Sequence, residues 1–187
     1  MEIIYNNLVL SRHLIFTPDL LTIKSILMDI YAILQILIAT IAATSAMTLF
    51  SYAVSASFRE LYKEPVLLTF LLKQLKIDVS DKGKATLAWI LHYFIGFIFV
   101  YTYHILWVNH ILSLSLLNAF LLGSICGIIG IAGWMILFKL ADYKPHIDFK
   151  GYYIQLFFAH IIFGLVAALF YYLTLTIILI AKSNVTI

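Results

Sequence analysis

From Ile30 to Phe58 the chain runs without one aspartate, glutamate, lysine or arginine. It does so three more times, over residues 85–107, 111–138 and 151–181. An α-helix rises about 1.5 Å per residue and the hydrocarbon of a bilayer is about 30 Å thick, so each run is long enough to cross. The runs are continuously apolar rather than alternating, which selects helices over barrel strands. With 64% hydrophobic and 11% charged residues and a mean hydropathy of +1.04, the chain has more apolar surface than a water-soluble globule can hide. The expected fold is all-α and polytopic: a four-helix transmembrane bundle over residues 30–187, preceded by a surface or interfacial segment at 1–29. That segment has no basic region followed by a clean apolar core, so it does not read as a cleavable signal. Arg12, His13, Pro18, Asp19 and Lys24 interrupt it, and Asp19 or Thr22 would cap short helices there.

Charge sorts the connectors. Arg59, Lys63, Lys73, Lys76, Lys82, Lys84, Lys139, Lys144 and Lys150 lie on one side, against Arg12, Lys24 and Lys182 on the other. By the positive-inside rule both termini face away from the cytoplasm. In the first connector, Pro65 opens the run PVLLTFLLKQLK, too short to span. An amphipathic interfacial helix over residues 65–76 is expected, its lysines near lipid headgroups. The formal charge of +3 is small and dispersed, which excludes nucleic acid as a partner; lipid, other membrane subunits or a second copy remain. A single cysteine, Cys126, allows neither an internal disulfide nor a cysteine-based metal site, and no metal is expected.

Two of the spans share a pattern. His92-x-x-x-Gly96 recurs as His160-x-x-x-Gly164, and at the same offset Tyr103 matches Tyr171. Offsets of four and eleven residues return to within about 40° of the histidine on a helix. The first and third spans are instead rich in small residues. Ala39 and Ala43 in the one, and Gly123, Gly127, Gly130 and Gly133 in the other, are candidates for close helix packing. The chain thus reads as two parallel helix-pair repeats. On Ala43, Thr44, Met47, Pro65, His92, Gly96, Gly123, Gly127 and Trp134 it resembles a family of small uncharacterised four-helix proteins of bacterial inner membranes, over about residues 36–170. The resemblance implies a four-helix fold in an inner membrane and no established activity.

A histidine deep in hydrocarbon should face the protein interior and have a partner. Counted from Lys84 and Lys150, His92 and His160 sit roughly 12 to 15 Å along their helices. Two roles compete. In the structural one, each imidazole hydrogen-bonds a neighbouring helix backbone, or Thr44, Ser45 or Ser124, while the glycine permits close approach. In the functional one, His92 and His160 ligate a b-type haem, with Gly96 and Gly164 leaving room for the macrocycle. A further alternative is a quinone or lipid pocket, or a proton-linked path, using Tyr103 and Tyr171 as well. His104 and His110 are expected at the outer interface with an aromatic belt of Tyr101, Tyr103 and Trp107. No hydrolase, zinc-protease or phosphate-loop motif is present. The expectation is a non-enzymatic accessory or small-ligand-binding membrane protein.

Overall fold

The computed structural model describes the backbone over residues 20–185, and side chains over residues 30–181 and at Ser183. The expectations for residues 1–19 lie outside the described residues. Contacts divide the chain within its first helix, into Met1–Leu34 and Gln35–Ile187. Of the first unit the described part is helix; all contacts below belong to the second. Among the described residues there are five helices and no strand: α1 (Leu20–Phe58), α2 (Glu64–Gln74), α3 (Asp81–Val108), α4 (Leu116–Leu140) and α5 (Phe149–Val185). All but α2 are long and apolar enough to cross a membrane, over Ile30–Phe58, Asp81–Val108, Leu116–Leu140 and Phe149–Ala181.

The side chains are sorted as lipid demands. On α1, Gln35, Thr40, Thr44, Thr48, Ser51 and Ser55 are buried, whereas Ile33, Ile41 and Leu49 are exposed. On the other spans Phe94, Ile98, Ile128, Ile136, Phe158 and Ile177 are likewise exposed. Apolar surface on this scale is not tolerated in water. In lipid there is no hydrophobic penalty outside, and small polar residues gain by facing one another inside.

Helix ends are built from local chemistry. Ser80 and Ser115 accept from the backbone N–H groups of Gly83 (3.1 Å) and Asn118 (3.2 Å). Asp148 accepts from those of Lys150 and Gly151 at the start of α5. Helices α1 to α4 each end on a residue with positive φ, namely Arg59, Lys76, His110 and Asp142, none of them glycine. The bonds Glu60 N–H to Ser55 O, Ile111 N–H to Leu106 O and Tyr143 N–H to Phe138 O close the last turns of α1, α3 and α4.

Some local features differ from expectation. Thr22 lies inside α1, whose helix begins at Leu20 and whose apolar span is Ile30–Phe58, so it caps no short helix. The third span begins at Leu116, not residue 111, because the reversal at His110 and the Ser115 cap separate α3 from α4. Helix α2 forms with Pro65 in its first turn, but Leu67, Leu68, Leu71 and Leu72 are buried in the chain's own core. That leucine face is covered by protein, and Lys73 pairs with Asp81 at 3.2 Å.

The tightest packing joins α4 to α5. A Cβ on Gly164 would stand 2.5 Å from Ala119 O and 2.9 Å from Gly123 Cα, and one on Gly123 would stand 2.6 Å from His160 O. Gly127 similarly abuts the Phe157 backbone at 3.3 Å. Ala39 and Ala43 on α1 are fully buried, as packing residues should be.

Candidate functional site

Eleven residues into α3 and eleven into α5, about 16 Å along each helix, stand His92 and His160. Both line one cavity of about 210 Å³. Its walls are Thr44 and Met47 of α1, Ile95, Gly96 and Phe99 of α3, Ile129, Gly130, Gly133, Trp134 and Leu137 of α4, and Leu156 and Phe163 of α5. Helix α2 contributes Leu68 and one acid, Glu64.

The hydrogen-bond network assigns the imidazole protons. The Thr48 hydroxyl donates its one hydrogen to Thr44 O (2.7 Å), so the 2.9 Å contact with His92 has Nε2–H donating to Thr48 Oγ1. His160 Nδ1 lies 2.8 Å from Leu156 O, which only accepts, so this nitrogen carries the proton. His92 therefore keeps a bare Nδ1 and His160 a bare Nε2, whose edge rests on Gly130: a Cβ there would lie 2.9 Å from Nε2. Neither histidine uses the partners expected from sequence. His92 takes Thr48, one turn beyond Thr44, and His160 takes its own helix's carbonyl.

Glu64 is 2% exposed. It occupies the first turn of α2, where extended backbone at Lys63 and the fixed φ of Pro65 turn the chain inward. Its Oε1 accepts from Ser51 Oγ at 2.8 Å and from Gln155 Nε2 at 3.3 Å, and Gln155 Nε2 also donates to Ser51 Oγ at 2.6 Å. The acid thus ties α1 to α5 across more than a hundred residues of sequence. Glu64 Oε2, Gln155 Oε1, the Tyr152 hydroxyl and Thr44 Oγ1 are buried without partners. Burial pushes the Glu64 carboxyl up to about 7, only partly opposed by bonds from the backbone, Ser51 and Gln155.

The structure brings His92, His160, Gly96 and Thr44 together and leaves the other expected site residues elsewhere. Gly164 gives no room for a ligand, because α4 backbone fills the space above it. Gly133 is not a packing residue: a Cβ there would meet nothing within 4 Å, and it faces the cavity. Tyr103 is core, 1% exposed, its hydroxyl donating to Cys126 Sγ at 3.0 Å, and Trp107 is buried beside it, so neither belongs to a belt. Tyr171 bonds His104 Nδ1 at 2.7 Å. Ser45 pairs with the Tyr93 hydroxyl and Ser124 with Phe120 O.

Sequence reasoning missed Glu64, Ser51 and Gln155. Glu64 sits in a basic connector, where a carboxylate reads as solvated. The usable signals were Gln155, a strong hydrogen-bonding group inside a charge-free run, and an acid immediately before a proline that opens an apolar helix. Among the described residues no three His, Cys, Asp or Glu side chains gather as a metal ion requires. No protein-family model matches this sequence, and no curated protein or solved structure matches it either.

Proposed function

We propose that this chain is an integral membrane protein that binds a small, largely apolar molecule in the cavity, as an accessory or binding component rather than an enzyme. One observation carries the reading. A cavity lined by four apolar spans has one carboxyl and two imidazoles in its walls, where ionisable groups are costly and are retained for a use. Its volume exceeds the ~150 Å³ of an apolar cavity that takes up benzene. The bias of basic residues supports cytoplasmic connectors and outward termini, and the family resemblance supports a bacterial inner membrane.

Gly133→Leu tests this, because a Cβ at Gly133 meets nothing within 4 Å and the side chain built on it would occupy part of the cavity. Thermal unfolding in mild detergent is followed with propylbenzene and with 2-phenylethylammonium. At least one should raise the midpoint of the wild type and leave Gly133→Leu unmoved. If neither ligand acts, or the variant responds equally, the cavity is not a binding site.

A second reading, haem b between His92 and His160, is favoured by the bare nitrogen on each imidazole at one cavity. The cavity is smaller than the ~300 Å³ at which sites for drug-sized ligands begin, so a macrocycle needs the helices to part. For that reason haem ranks second. A Soret band lost in both His92→Ala and His160→Ala would favour it, and a colourless folded preparation would remove it.

A further inference from the structure

We infer that the molecule bound in this cavity is a lipophilic organic ammonium ion, which takes the place of a proton on Glu64. The inference rests on the cavity being a binding site and adds the chemistry of its occupant.

The polar side chains that line the cavity are Thr44, Glu64, His92 and His160, and they are rich in acceptors. His92 and His160 have committed their N–H groups to Thr48 and Leu156, and each ring keeps only a lone pair. Glu64 Oε2 is buried without a partner. Thr44 Oγ1 and the acid form of Glu64 are the donors among these four polar side chains, and once the Glu64 proton is given up a quinone, which brings carbonyl acceptors, cannot neutralise the carboxylate. An ammonium group brings donors and the opposite charge. Among the described residues no cation pairs with Glu64: the ion pairs there are Lys73–Asp81 and Lys84–Asp81. Lys63, next in sequence, lies over the Tyr52 ring at 4.8 Å instead. Phe99, Trp134 and Phe163 line the same cavity and offer aromatic faces to a cation. A buried carboxylate without a cation is unfavourable, so below about pH 7 the empty site holds the acid form and the loaded site the salt. The exchange balances: the Glu64 O–H bond breaks, its proton leaves to solvent, and the carboxylate pairs with the incoming ammonium.

Several titratable groups face Glu64. Tyr52 comes from α1 and Tyr152 from α5, close enough to sense its charge, and Lys63 adjoins it. His92 on α3 and His160 on α5 share the cavity, and α4 lines it with glycine, tryptophan and aliphatic side chains. Tyrosine and lysine titrate near 10 in water, outside the working range. The imidazoles are controlled by Glu64→Gln, which keeps both.

Calorimetric titration of the detergent-solubilised protein with 2-phenylethylammonium and with uncharged propylbenzene tests the inference. From about pH 5.5 to about pH 8.5 the ammonium Kd should fall about thirtyfold, the ratio of ionised fractions for an acid titrating near 7. At the acid end about one proton should be released per ligand, read from buffers of different ionisation enthalpy. In Glu64→Gln the pH dependence and proton release should vanish. If propylbenzene binds the wild type as well as the ammonium at every pH, or no proton is released, the cation assignment fails and the cavity reading stands. If neither ligand binds, both fail. Should Glu64→Gln not fold, proton release by the wild type decides alone.

Discussion

Helices α3 and α5 carry the same His-x-x-x-Gly spacing and use it differently. On α5 the glycine is a backbone contact, with Gly164 seated on Ala119 and Gly123 of α4, and the histidine is buried with its proton on its own helix. On α3 the glycine meets a side chain, the Thr44 hydroxyl of α1, and the half-buried histidine reaches across to Thr48. The α5 half is therefore packed backbone to backbone, whereas the α3 half is joined to α1 through side chains. Between them lies the cavity. Identical spacing thus supports opposite duties, because what a glycine does depends on which atoms the facing helix presents.

The largest expected effect concerns Glu64, the group that ties α1 to α5. Its folded-state carboxyl titrates near 7 rather than the usual 4.5, so between these values the folded protein holds the proton more tightly than the unfolded chain. Stability therefore falls as pH rises from about 4.5 to about 7, by about 3 kcal/mol in all, and is level above. Thermal midpoints across this range should decline for the wild type and stay nearly flat for Glu64→Gln. A flat wild-type profile would show that the carboxyl is not held out of water in the folded protein.

The glycines come next. Gly164→Ala drives a methyl group into α4 backbone, which cannot give, and should destabilise by about 2 to 3 kcal/mol. Gly96→Ala meets only a hydroxyl that can rotate, and gains about 1 kcal/mol of helix propensity, so its net effect should be under about 1 kcal/mol. Unfolding by added denaturing detergent would compare them, and equal losses would erase the contrast between the halves.

The histidines give the smallest and sharpest distinction. His160→Ala empties a ring that rests on Gly130 and should cost about 2 kcal/mol. His92→Ala gives up chiefly one interhelical hydrogen bond, worth roughly 0.6 to 1.7 kcal/mol. A double-mutant cycle of His92→Ala with Thr48→Val should recover most of that bond as coupling, and additive losses would show that His92 is held by packing instead.

Much of this was legible in the chain. Ile30–Phe58 and its three counterparts could be nothing but apolar helices, since in hydrocarbon a backbone must satisfy its own hydrogen bonds. Ala39, Ala43, Gly123 and Gly127 could be read as contact residues because small side chains at helical spacing let backbones approach. Periodicity is local, and it distinguishes a helix's faces without naming what each face meets. Gly133 and Gly164 look alike in sequence, yet one borders open space and the other a carbonyl oxygen.

By itself, then, the sequence determined the solvent of this protein, the number of apolar helices and where small residues recur, because hydrophobicity and helix pitch act along the chain. Only the tertiary structure decided that Glu64 leaves its basic connector to join Ser51 and Gln155. It alone placed His92 and His160 on one cavity and assigned their protons. These outcomes depend on desolvation and on hydrogen bonds between residues far apart in the chain, and such interactions exist only once the helices have packed.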